Sequence, residues 1–419
     1  MRVVLFALLL SGAFASSARG QFRGTDLRRW LRPRTTLRTA VWSSSRTVDD
    51  RSPLTGSMLW TELAPSVESF LKLKVGAWLG AGSLVGRVDP NASLRELYGD
   101  LRLGAMDVRL GKQIVAWGRA DAVNPTDNLS PHDLTLLVPD DDDQKIGVSA
   151  ARVSVYDGGT TLTALWLAGF SGNTLPLEAP PSGTRLARRM PGHVAAQGAL
   201  RLERSGGRVD WSASYFSGFD LNPDIALRVT AGDTAFELAY HRLHAVGADA
   251  ATTLGRYGVR AEAAWIGTED RGGADPEIKN SSLYAVIGAD RTFGGYFNVN
   301  VQYLLRRVSG FTSPDGVADP ARREAAVLLA RVAQQLRGVQ QGATFRVSNQ
   351  WRHETLKAEL AGVFLAPPWQ FVVRPRASYA ATDHWEVRLG ADLWGGGRVT
   401  LFRELRSNSG AFIEVRLGL

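Results

Sequence analysis

Cysteine is absent from all 419 residues, which excludes a disulfide scaffold for an exported chain and leaves stability to the secondary structure itself. Long apolar runs are missing as well. Beyond the N-terminal leader nothing approaches the ~20 consecutive apolar residues that a membrane-spanning helix needs, and mean hydropathy is −0.11; a helical inner-membrane protein is excluded. No Pro/Ser-rich linker and no shift of composition marks a domain boundary, so a length that could hold two or three soluble domains reads instead as one large unit. The net charge of +8 with pI near 9.9 is not gathered into a tail or helix face. That scatter, together with an export signal, removes nucleic acid as a partner.

What is present is alternation. The closing segment Ala411 to Leu419 puts Ala411, Ile413, Val415, Leu417 and Leu419 on one side of an extended strand and Phe412, Glu414, Arg416 and Gly418 on the other. Side chains alternate across a strand, so one face suits lipid and the other a wet interior. Leu71, Leu73, Val75, Ala77 and Leu79 likewise oppose Lys72 and Lys74. Tyr257, Val259, Ala261, Ala263 and Trp265 oppose Arg256, Arg260 and Glu262, and Trp385, Val387, Leu389, Ala391 and Leu393 oppose His384, Glu386, Arg388 and Asp392.

Apolar faces often begin or end on an aromatic residue (Trp60, Trp78, Trp117, Trp166, Trp265, Trp351, Trp369, Trp385, Trp394), the expected place for an interfacial girdle. In hydrocarbon an open sheet edge would leave a row of backbone groups unpaired, so the sheet must close. The expected fold is all-β, a closed antiparallel transmembrane barrel of about 18 strands (16–20) with long loops.

Nineteen strands are expected, over 33–43, 57–64, 69–80, 94–103, 107–117, 144–156, 160–170, 192–204, 208–219, 234–244, 254–268, 280–293, 295–307, 341–353, 355–366, 369–380, 384–394, 398–405 and 410–419, with 224–231 as a further candidate. Bacterial barrels have an even number, so one of these assignments is wrong, and 18 is the expected total with 16 or 20 as alternatives. Three connections are long: 118–143, 171–191 and 309–340, the last with Asp319-Pro320 as a helix start and Ala325, Leu328, Leu329, Val332 and Leu336 on one helical face.

At the other terminus, Arg2, the apolar run Val3 to Leu10 and Ala13-Phe14-Ala15 form a secretory signal over 1–20, with cleavage near 15–20. A short lead over 21–32 then precedes a barrel over 33–419.

The segment Arg109-Leu110-Gly111-Lys112-Gln113-Ile114-Val115-Ala116-Trp117-Gly118-Arg119-Ala120-Asp121, followed by Asn124-Pro125-Thr126-Asp127-Asn128 and the acidic run Asp140 to Asp143, resembles a family of porin-like outer-membrane proteins classed under a domain of unknown function. Val209-Asp210-Trp211-Ser212, Gly288 to Phe293 and the closing Phe412 to Arg416 fit the same pattern. The resemblance runs from about Leu94 to the C-terminus and implies an outer-membrane barrel without implying a substrate. Leu419 departs from it, since relatives usually finish on an aromatic residue.

Candidate lumen or constriction residues are Lys112, Gln113, Arg119, Asp121, Arg260, Glu262, Arg374, Arg376, Glu386 and Arg388. The alternative for the central motif is structural: Gly111 and Gly118 permit a strand bend and Arg119–Asp121 pins a loop base. Asp140 to Asp143 suits a divalent ion or, as charge blocks usually are, a solvated loop tip. An EF-hand is excluded, because the twelfth position from Asp140 is Ala151.

The histidines form no site: His241 and His244 differ by three and diverge on a strand, and His132-Asp133 and Asp383-His384 are sequence neighbours. No metal, cofactor or enzyme activity is expected. The expected function is a porin-like channel for passive or facilitated diffusion of small solutes, with a weak anion preference as its refinement. A plugged structural barrel acting in envelope integrity or with an export system is the alternative. Expected partners are outer-membrane lipid and lipopolysaccharide, the barrel-assembly machinery through the C-terminal strand, and small solutes; a homo-oligomer stays open.

Overall fold

The structure, a computed structural model, describes residues 31, 33–45, 52–85, 91–176, 184–192, 196–230 and 233–419. The expected signal peptide, and the lead apart from Leu31, lie outside the described residues. The first strands are β1 (Arg34–Trp42), β2 (Leu54–Leu63), the short β3 (Ser66–Glu68), β4 (Leu71–Gly82), β5 (Asn91–Leu103), β6 (Met106–Gln113), β7 (Val148–Asp157) and β8 (Thr160–Leu167). Then follow β9 (Thr184–Arg189), β10 (Gln197–Arg204), β11 (Asp210–Phe219), β12 (Asp224–Thr230), β13 (Asp233–Ala239), β14 (Arg242–Leu254) and β15 (Tyr257–Thr268). The last are β16 (Ser282–Phe293), β17 (Phe297–Val308), β18 (Val339–Trp351), β19 (Leu356–Ala366), β20 (Gln370–Ala380), β21 (Trp385–Gly396) and β22 (Gly410–Gly418).

Eighteen of these form one antiparallel barrel, each paired with its successor once β3, β9, β12 and β13 are set aside. The ring shuts where β22 pairs with β1, from Thr36 opposite Gly418 to Trp42 opposite Phe412. Trp42 stacks on Phe412 at 4.4 Å across that seam. Closure leaves no unpaired edge in hydrocarbon.

The faces are inverted relative to a soluble sheet. Leu162, Trp166, Leu200, Val246, Ile287, Val301, Leu389 and Ile413 stand exposed on the outside, while Arg201, Asp249, Glu262, Gln302, Asp392 and Glu414 are buried inside. An apolar exterior around a polar lumen is the membrane-spanning arrangement. Outward tryptophans fall into two belts: Trp166, Trp265 and Trp369 near the long-loop end, and Trp211, Trp351 and Trp385 near the end that carries the termini. Trp60, Trp78 and Trp117, expected in the girdle, are buried within, and Trp394 also faces inward, opposite Val372.

Two expected strands are corrected. Residues 398–405 alternate in sequence but coil into α2 (Leu401–Glu404) and a 3-10 turn, because Thr400 caps the Arg403 amide. The expected strand at 234–244 straddles two sheets: β13 belongs to a small three-stranded sheet with β12 and β9, and the barrel strand begins only at Arg242. Of the candidate segment 224–231, the described residues 224–230 accordingly lie outside the barrel wall, and the strand expected over 107–117 ends at Gln113. The small sheet packs Ile225, Leu227, Phe236 and Leu238 against Ala325 and Leu329 of α1 (Pro320–Val332). That helix starts as the sequence implies, with Asp319 accepting the Arg322 amide at 2.8 Å.

Candidate functional site

The chain leaves the wall after Gln113 because side chains take over from ladder partners. The amide of Ile114 donates to Glu96 (3.3 Å), that of Val115 to Ser130 (2.8 Å) and that of Trp117 to Asp127 (3.3 Å). Gly118, at φ +95°, makes the sharp turn; a Cβ there would lie 2.6 Å from Glu262 Oε2. From this point 114–147 runs inside the barrel and touches walls on both sides.

On one side the wall supplies the acid. Glu262, on β15 and buried, accepts the amides of Arg119 (2.9 Å) and Ala120 (3.1 Å) on Oε2, and the amide and hydroxyl of Thr126 (both 2.8 Å) on Oε1. Four donors on one carboxylate form a closed cradle. The Arg119 side chain reaches Glu203 and Asp249 at 2.6 Å each. Asp121 meets Arg346 at 3.1 Å and Asn300 at 3.3 Å, while its amide donates to Gln302. Arg119 and Asp121 therefore pin the loop to different strands and not to each other. Arg260 pairs with Asp290 and donates to the Arg119 carbonyl at 3.4 Å.

Between the two polar contacts lies an apolar crossing. Val115, Trp117 and Leu129 pack on Leu165, Ala199, Phe216 and Ala245; Leu136 and Val138 pack on Met58, Trp60 and Trp78; Leu137 packs on Trp42, Leu54 and Phe412. Burying side chains of this size is worth about 1.5–3 kcal/mol each, enough to hold the loop down.

On the opposite side the wall supplies the cation. Arg374 and Arg376 of β20, Arg388 of β21, Arg416 of β22 and Arg38 of β1 face inward on four contiguous strands. Arg95 joins them through a bulge in β5, where the register against β4 shifts at Gly76/Ala77. Asp140 meets Arg388 at 2.7 Å and Arg416 at 3.1 Å; Asp141 meets Arg374; Asp143 meets Arg38 at 2.6 Å and Arg95 at 3.9 Å. Burial alone would raise the Asp140 carboxyl, but Arg388 and Arg416 outweigh it and hold it below the ordinary carboxylate value. The acidic run thus meets arginines of the wall while its side chains stay partly exposed. Asp142, the most exposed of the four, lies beside Lys145 at 2.9 Å. Arg376 pairs with Asp392, and Glu386 with Arg388 at 3.0 Å.

Of the ten expected lumen residues, Arg119, Asp121, Arg260 and Glu262 gather at the first contact and Arg374, Arg376, Glu386 and Arg388 at the second. Gln113 is buried on the inner face, donating to the Ala150 carbonyl at 3.1 Å. Lys112 is a correction: its register beside Leu97 and Ser149, in line with exposed Leu110, turns it to the outer face. Arg38 and Arg95 escaped sequence reading, Arg95 because the bulge hides its side from strict alternation. Beneath the loop, a cavity of about 330 Å³ is lined by Arg119, Asp210, Thr252, Gly258 and Arg260.

The histidines remain apart from this. His241 Nδ1 lies 2.7 Å from Asp224, which also binds Lys279 at 3.0 Å, in the loops above the barrel. Among the described residues no three His, Asp or Glu side chains gather as metal ligands.

No protein-family model and no curated protein matches the sequence, so the domain-of-unknown-function family remains a resemblance only. Solved structures do match. The outer membrane protein OpdK of Pseudomonas aeruginosa aligns at TM-score 0.56 and 11% identity, over 92% of this chain and 98% of that one. OccK5 (OpdH) of the same organism aligns at 0.53 and 12% identity, over 93% and 99%. OccAB1 of Acinetobacter baumannii aligns at 0.54 and 9% identity, over 92% and 95%. At such identities the likeness is one of fold: this chain has the architecture of these outer-membrane barrels over nearly its whole length.

Proposed function

We propose that the protein is an outer-membrane channel for passive or facilitated diffusion of small solutes, with loop 114–147 as its constriction and a weak preference for anions. The observation that carries this reading is the inward row of guanidiniums on β20, β21, β22 and β1. A row of cations in a wet lumen lowers the electrostatic barrier to anions and raises it to cations. Gln113, Arg119, Asp121, Arg260 and Glu262 shape the opposite rim, and Arg374, Arg376, Glu386 and Arg388 line the passage. OpdK has been solved with vanillate at TM-score 0.55 and 11% identity to this chain; vanillate is a small aromatic carboxylate, in keeping with an anionic cargo here. On this reading the exterior meets outer-membrane lipid and lipopolysaccharide, and strand β22 engages the assembly machinery.

Planar-bilayer recording tests the reading. Stepwise openings with a reversal potential on the anion side are expected; a cation preference would remove the anion refinement. The loop's contact with both walls favours a second reading, a plugged structural barrel, for which a folded but electrically silent protein is the expected result.

A further inference from the structure

The arginine wall meets carboxylates from two sources. Arg376, Arg388 and Arg416 pair with Asp392, Glu386 and Glu414 of their own wall. From the loop, Asp140 meets Arg388 and Arg416, Asp141 meets Arg374, and Asp143 meets Arg38 and Arg95. The contacts are reachable from water: the side chains of Asp140 and Asp141 are 48% and 56% exposed, and Arg374 and Arg388 remain about a quarter open at 23% and 24%.

We propose that Asp140, Asp141 and Asp143 are a tethered counter-anion, occupying the arginine row until a small multiply charged anion, carboxylate or phosphate, displaces their side chains. This rests on the channel reading and adds a regulation to it. A tether of this kind presents its carboxylates at an effective concentration of order millimolar, so a free competitor must match that and must engage several guanidiniums together. A singly charged anion can stand in for one aspartate, as Asp140 stands between Arg388 and Arg416, and leaves the others closed; a doubly charged one replaces two of them at once.

The test compares the full chain with Asp140→Asn/Asp141→Asn/Asp143→Asn, and with Asp142→Asn as a control, in planar bilayers. The triple variant is expected to raise the anion-to-cation permeability ratio at least threefold. It should also lower the half-saturating concentration of malonate and of inorganic phosphate about tenfold, with acetate shifted far less and Asp142→Asn unchanged. A response to malonate alone or phosphate alone identifies which anion the row takes. Equal ratios and equal half-saturation in conducting wild type and variant overturn the proposal. If the triple variant fails to fold, Asp141→Asn alone, at the most exposed of the three, is expected to give a smaller shift of the same sign, and no shift overturns it. Should all forms be silent, the channel reading falls, and calorimetric titration of malonate into the purified barrel decides the competitor: affinity at least fivefold tighter in the variant supports it, and equal affinity overturns it.

Discussion

The two ends of the lumen loop are held by opposite chemistry. At Glu262 a buried wall carboxylate receives backbone donors of the loop, so the contact fixes the main chain and excludes water. At the arginine row the loop gives half-exposed side-chain carboxylates, Asp140 and Asp141, to guanidiniums about a quarter open, so the contact fixes charge while water still reaches it. A buried donor left without an acceptor costs about 1–3 kcal/mol, whereas an exposed ion pair is worth about 0–1 kcal/mol. The first end is an anchor and the second is exchangeable.

The sharpest attempt to break that contrast is Glu262→Ala, which strands the donors of Arg119, Ala120 and Thr126. A loss of at least about 3 kcal/mol is expected in denaturant-unfolding midpoints, with new protease cleavage inside 114–147. Gly118→Ala comes next, at about 1–3 kcal/mol, because the added Cβ meets the same carboxylate at positive φ; the same unfolding curve reads it. At the other end Arg388→Gln is expected to cost under about 1 kcal/mol while shifting the reversal potential toward cations. A stability loss equal to that of Glu262→Ala would erase the distinction.

The two ends also differ in their response to pH. Burial, opposed by Lys145 and the Trp117 amide, pushes the Asp127 carboxyl up to about 6, whereas Asp140 is held low. A carboxyl raised on folding binds its proton more tightly in the folded state. Asp127 therefore adds stability below pH 4, and that stability is lost as pH rises through about 6. Asp140 behaves in the opposite sense, contributing above the ordinary carboxylate range and losing its contribution only as pH falls through its depressed value. Acidification from pH 7 to 5 should thus raise the stability of the folded barrel through Asp127, read as a shift in the denaturant-unfolding midpoint, and leave the arginine contacts intact. Asp127→Asn should abolish the change.

The barrel was legible because its strongest signal, alternation, is local. Most strands fall within a few residues of their expected places, and removing 234–244 and 398–405 while adding 242–254 leaves the expected total of 18. Strand β14 was hard to see because its outward face includes Ala248 and Ala250, which carry little apolar contrast, and because β13 runs into it with no glycine or proline between. The site was legible in parts. Periodicity places Arg374, Arg376, Glu386 and Arg388 inside, but it carries no information on what they meet. Asp143 and Arg38 are 105 positions apart, and Asp140 and Arg416 are 276 apart. A run of four aspartates looks solvated until the fold brings arginines of distant strands to it.

The central claim is that 114–147 fills the lumen of a closed barrel and limits what passes. Its most direct test is single-channel conductance of the protein beside a variant in which 120–143 is replaced by a short Gly-Ser linker. Heat-modifiable gel migration should confirm that both are folded. A several-fold larger conductance in the variant is the predicted result; equal conductance would contradict the account.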